Sequence, residues 1–133
     1  MRRLLTVLAI ASITLSAMAQ AVSGRLVEYD IKLEKAYRAT VLEVKDVNLG
    51  LPALQLISDI GGVRHVSVVG TAAYLKEKGF SFAWGETVTI TGVVAGPVEE
   101  GVYLSAREIK KGEATLVLRD SAGKSVWLPK PPK

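Results

Sequence analysis

Five runs of strand-forming residues lie between Ala39 and Ile109, and a single short helix signal interrupts them after the third. The first strand is expected over Ala36–Val47. Its apolar residues Val41, Leu42, Val44 and Val47 do not alternate strictly, as in a long strand that bends at a bulge and serves two halves of a sheet. The second is expected over Ala53–Ser58, followed by a turn at Asp59–Gly62 with two glycines and a third strand over Val63–Val69. Thr71 is a good N-cap for a helix over Ala72–Lys78, and Gly79 is its stop. Ala72 and Leu75 would face inward, Tyr74 with them, and Lys76, Glu77 and Lys78 would face water. The fourth strand, Thr87–Val94, puts Val88 and Ile90 on one face and threonines on the other. After a loop at Ala95–Gly101, a fifth strand over Val102–Ile109 carries Val102, Leu104 and Ala106 inward and Tyr103, Ser105 and Arg107 outward.

Three strands, a helix and two more strands is the order of a five-stranded Greek-key barrel of the OB type. A helix this short does not persist alone, and a barrel mouth to plug would hold it. The expected fold is therefore mainly β. It has one short helix between strands three and four, and a C-terminal β-hairpin extension formed by Thr115–Arg119, a turn at Asp120–Lys124 and Ser125–Leu128.

At the start of the chain, Arg2 and Arg3 precede an apolar run from Leu4 to Leu15, and Ala17-Met18-Ala19 supplies an A-x-A cleavage site. The run is short for a bilayer span, which needs about 20 residues. Residues 1–19 are expected to be a cleaved signal peptide and the mature protein to be periplasmic or secreted. Residues 20–38 are expected to form an extended lead-in, since Val27, Tyr29, Ile31 and Leu33 alternate with polar residues. Residues 39–128 form the barrel domain with its hairpin, and 129–133 a solvated proline-rich tail.

Charge and composition exclude several function classes. Seventeen Lys and Arg face thirteen Asp and Glu, and loss of Arg2 and Arg3 with the signal leaves 15 against 13, a net +2. That is a weak footprint for a nucleic-acid binder. Without cysteine the chain can be neither a lipoprotein nor a c-type cytochrome, and its core must hold without disulfides. After Gln20 no long apolar stretch remains to cross a membrane. His65 is the only histidine, and although Ser67 lies two residues along the same strand, neither sits in a G-x-S-x-G setting. Asp46, Asp59, Glu99, Glu100 and Asp120 are scattered over different loops rather than spaced as metal ligands. No enzymatic activity, metal or cofactor is expected.

The segments YRATVLEVKDV, GETVTITGVV and AREIKKGEATLVLRDSAGKSVWL resemble small exported bacterial OB-fold proteins, a largely uncharacterised group labelled hypothetical or OB-fold nucleic-acid-binding-like. The likeness runs from about Tyr29 to Leu128. Ala39 stands where that group opens with glycine, Thr71 replaces a proline at the strand-to-helix junction, and Val68 replaces a histidine sometimes found there. The resemblance implies fold and compartment and supplies almost no function.

OB-folds bind on the face of strands two and three, between the loops after strands one and four. That surface offers Asn48, Leu49 and Leu51 in the first loop and Gln55, Ile57, Arg64, His65 and Ser67 on the strands. It carries no aromatic platform for bases, and Glu99 and Glu100 would repel phosphates. The expectation is a binding or accessory module for a periplasmic or envelope protein, a peptide or a small ligand, with Leu49 and Leu51 as exposed contacts. Single-stranded nucleic acid is the alternative. Trp127 is expected to cover the barrel's own edge rather than a neighbour.

Overall fold

The computed structural model describes residues 29–99 and 101–128. The expected signal peptide, residues 20–28 of the lead-in and the proline-rich tail lie outside them. Six strands occur in the order β1 (Lys35–Asn48), β2 (Pro52–Ile60), β3 (Val63–Val68), β4 (Thr87–Val98), β5 (Gly101–Lys111) and β6 (Ala114–Val117), with α1 (Ala72–Lys78) between β3 and β4. The sheet runs β3-β2-β1-β4-β5-β6, antiparallel throughout, and a short parallel pairing of β3 with β5 closes it into a ring.

β1 makes the ring possible. Lys35–Thr40 pairs with β4, Thr40–Asn48 pairs with β2, and the register slips between Val41 and Glu43. The slip leaves Leu42 as the extra residue of a bulge, which bends the strand from one partner to the other. Closure depends on Gly101. A Cβ there would lie 2.4 Å from the carbonyl oxygen of Arg64, so only glycine lets the start of β5 meet β3 at His65↔Val102.

The interior is filled by Ala39, Val41, Leu56, Val88, Ile90, Leu104, Ile109 and Leu116, all at most 1 % exposed. Each large aliphatic residue so buried contributes roughly 1.5–3 kcal/mol. Helix α1 has the expected limits: Thr71 Oγ1 accepts from Tyr74 N at 3.0 Å, and Gly79, left-handed at φ 64°, closes the last turn. Leu75 is its buried residue, and Ala72 is exposed rather than inward.

Other departures have local causes. Ile31–Leu33 is a 3-10 turn, not extended chain, because Asp30 accepts from Lys32 N and its carbonyl accepts from Leu33 N. β4 continues to Val98, since Pro97 sits beyond a register slip at Val94/Gly96. Tyr103 and Ser105 are buried rather than solvent-facing, so β5 is covered on both sides. The C-terminal hairpin is present in a reduced form, closed at its turn by Gly123 N donating to the Asp120 carbonyl and Asp120 N to the Lys124 carbonyl. Its first arm also joins β5 as β6, and the two arms meet at the bridge Arg119↔Ser125, where Val126 N donates to the carbonyl of Leu118. Among the described residues no helix is long and apolar enough to cross a membrane.

Candidate functional site

The residues singled out on β2 and β3 do not share one surface. Ser58 stands opposite His65 and Leu56 opposite Ser67, while Val41 stands opposite Ser58. Cross-strand partners share a face. His65 and Ser67 therefore point to the interior side with Val41 and Leu56, and Gln55, Ile57 and Arg64 lie on the other. His65 and Ser67 are buried, with His65 Nδ1 2.9 Å from the carbonyl of Val63. Ile57 and its partner Val66 are fully buried, Gln55 is half-buried, and Arg64 is exposed. Asn48 is exposed, and its Oδ1 accepts from Gly50 N, which shapes the loop. Leu49 and Leu51 are not free contact leucines: both are half-buried and pack against the core.

A cleft of about 570 Å³ opens elsewhere, between α1 and β6, lined by Tyr74, Glu77, Lys78, Thr115, Val117, Val126 and Trp127. Its volume is within the range of ligand clefts. Tyr74, Glu77 and Lys78 stand at helical spacing i, i+3, i+4, and so form one stripe of α1. The Tyr74 hydroxyl donates to the carbonyl of Val117 at 2.5 Å, which joins the helix to β6 across 43 residues of sequence. Burial, reinforced by the nearby Glu77 carboxylate, raises the Tyr74 pKa, so the phenol keeps its proton and stays a donor. Lys78 Nζ lies 5.6 Å from the Tyr74 ring centroid, a cation–π contact at the rim.

Trp127 forms the cleft's aromatic wall and is 7 % exposed, covering the molecule's own sheet. Gly70, at φ 97°, makes room for it: a Cβ there would meet Tyr74 Cδ2 at 3.2 Å and Trp127 Cγ at 3.5 Å. Val117 and Val126, 41 % and 43 % exposed, also line it. The cleft thus joins an aromatic and aliphatic lining to one acid and one base, beside the last strand of the sheet.

A second cluster fixes the neighbouring segments. Arg107 forks onto Glu34, with Nε to Oε2 at 2.6 Å and Nη2 to Oε1 at 2.9 Å, and the Tyr29 hydroxyl donates to Oε2 at 2.7 Å. The Arg107 guanidinium holds the Glu34 carboxyl below its usual range. Burial and the Glu34 carboxylate push the Tyr29 phenol well up. Arg119 lies over the Tyr29 ring, 4.9 Å from its centroid, and donates to the Gly123 carbonyl at 2.7 Å. This cluster is an anchor. Its groups are occupied with one another.

The cleft was not foreseen from sequence, although the Tyr74–Glu77–Lys78 stripe and Trp127 were both visible. What joins them is the pairing of β6 with β5 across the two-residue turn at Gly112–Glu113, whose left-handed glycine suits a tight hairpin. Among the described residues no group of three or more His, Cys, Asp or Glu could hold a metal ion. No family model matches the chain, no curated protein matches it, and no solved structure matches it.

Proposed function

We propose that the chain is an exported, non-enzymatic binding module, built on an OB-type Greek-key barrel, that captures a peptide segment of a protein partner in the cleft between α1 and β6. The strand order β1-β2-β3-β5-β4 around the ring and the helix between β3 and β4 support the OB-type reading. Arg2, Arg3, the apolar run and the Ala17-Met18-Ala19 site support export. The observation that carries the binding reading is the cleft itself. An aromatic wall, two half-exposed valines and a charged rim meet in a concavity of ligand size.

The test is selection from a displayed library of random peptides. Selected peptides should bind the protein and lose at least tenfold in affinity against Val126→Asp. Val126 is 43 % exposed, so this variant should keep its fold. Equal binding to Val126→Asp would place the site elsewhere and overturn the reading.

Single-stranded nucleic acid is the second reading, favoured by the strand order alone. Against it, Ile57 and Val66 on β2 and β3 are fully buried and offer bases no platform, and exposed Glu99 follows β4.

A further inference from the structure

Among the described residues Trp84 is the most exposed large apolar side chain, at 81 %. It occupies the second position of a tight turn, Ala83–Glu86. Glu86 N donates to the Ala83 carbonyl at 3.2 Å, and Gly85, left-handed at φ 82°, takes the third position. β1 grips the same turn: Gly85 N donates to the Val41 carbonyl and Val41 N to the Glu86 carbonyl, both at 2.8 Å. At its base Phe80 is buried and meets Phe82 edge-on at 5.2 Å, while Lys111 lies over the Phe80 ring and donates to the Ser81 carbonyl. The indole is thus held out on a fixed stem, and little freedom is lost when a partner covers it.

The loop that carries it, Gly79 to Gly85, reads Gly-Phe-Ser-Phe-Ala-Trp-Gly, seven residues without a charge. Unsatisfied backbone N–H groups make most loops unfit for a lipid boundary. Here the N–H groups of Gly79, Phe80, Ala83 and Gly85 are already bonded inside the protein. Glu86, the acid at the base, accepts from Ala83 N with one oxygen and stands 3.4 Å from Lys111 Nζ with the other, so its charge is balanced. Lys76 and Lys78 in the last turn of α1, and Lys110 beside Lys111, are exposed, against exposed Glu77 and Glu113. Tryptophan suits the boundary between headgroups and acyl chains, because its ring is apolar and its N–H polar. Lysines beside it are drawn to anionic headgroups. A side chain this exposed projects rather than lines a concavity, which fits an extended surface better than a small ligand.

We propose that the Trp84 turn docks the protein on an anionic lipid surface. Trp84 enters the headgroup boundary, and the lysines stay on its polar side. The contact is peripheral and reversible, since one indole and a few lysines fall far short of an inserted helix. Trp84 takes no part in lining the cleft, so this reading stands or falls apart from peptide capture.

The test is the tryptophan emission of the full chain mixed with vesicles of phosphatidylglycerol and brominated phosphatidylcholine, beside vesicles of brominated phosphatidylcholine alone. The chain has two tryptophans, and Trp127 is only 7 % exposed, so a change in emission reports Trp84. The apolar run Leu4–Leu15 carries neither. With the anionic vesicles the emission should shift to the blue and be quenched by the bromine. Trp84→Ala, which so exposed a position tolerates, should lose that response. Half-maximal quenching should need about tenfold more lipid with the zwitterionic vesicles, or with the anionic ones in raised salt. Absence of shift and quenching with anionic vesicles, or the same response from Trp84→Ala, overturns the proposal. Equal response to both vesicle types overturns the anionic surface. A blue shift on adding a library-selected peptide without vesicles gives Trp84 to a protein partner and overturns it as well.

Discussion

Replacing Glu34 by glutamine tests the anchor that ties the segment before β1 to β5. The carboxylate takes two hydrogen bonds from Arg107, at 2.6 and 2.9 Å, and one from Tyr29 at 2.7 Å. Hydrogen bonds to charged groups contribute about 1.5–3 kcal/mol, and partial exposure reduces this. The side chains of Arg107 and Glu34 are 22 % and 15 % exposed, and Glu108, 3.8 Å from Arg107, offers a weaker substitute partner. Glutamine keeps one acceptor and loses the charge. The expected cost at neutral pH is therefore about 1–2 kcal/mol, or a fall in Tm of roughly 5–15 °C for a domain of this size. The pH dependence has a definite sign. Glu34 titrates below its ordinary range in the folded protein, so its stabilisation is full above the range of an unfolded carboxylate. It is lost as pH falls through the depressed native value. Urea unfolding of both proteins at neutral and acid pH should show a gap that closes on acidification. An equal midpoint at neutral pH, or a gap that survives protonation, would falsify the assignment.

Four further substitutions probe the rest of the fold by urea unfolding. Thr71→Ala removes the helix cap and should cost about 1 kcal/mol, loosening α1 and with it the cleft wall. Gly101→Ala drives a methyl into the backbone of Arg64 and should cost roughly 1–3 kcal/mol or more at the ring closure, with protection lost first at the β3–β5 pairing by hydrogen exchange. Leu104→Ala, fully buried, should cost about 2–5 kcal/mol. Trp84→Ala, by contrast, should change stability by less than about 0.5 kcal/mol, because Trp84 is 81 % exposed.

The parts legible in the sequence are those whose signals are local. Thr71 and Gly79 bracket α1 because capping acts on adjacent backbone groups. The broken alternation of Val41, Leu42 and Val44 marks the bend of β1 because a bulge reverses the faces at one residue. Pairings over long separations leave no such mark. Glu34 and Arg107 are 73 residues apart and give no hint of each other. Thr115–Arg119, by contrast, pairs only with near neighbours in sequence, with β5 across the Gly112–Glu113 turn and with the Ser125 arm across Asp120–Lys124. Leu49 and Leu51 resemble loop contacts, yet both pack against the core from the short loop between β1 and β2. The eight residues nominated around β2 and β3 follow the usual ligand face of the barrel type. Strand parity divides those on the strands between two faces, and burial withdraws Ile57, His65 and Ser67 from solvent.

An amide-shift map of the labelled protein, titrated in parallel with a peptide selected from the displayed library and with a short mixed-sequence single-stranded DNA, tests the location of binding most directly. The expected result is saturable peptide shifts at Tyr74, Thr115, Val117, Val126 and Trp127, with the DNA giving only diffuse changes at Lys and Arg amides that vanish with modest salt. Saturable DNA shifts confined to Gln55, Arg64, His65 and the flanking loops, with the cleft silent to peptide, would contradict it and make the protein a single-strand binder.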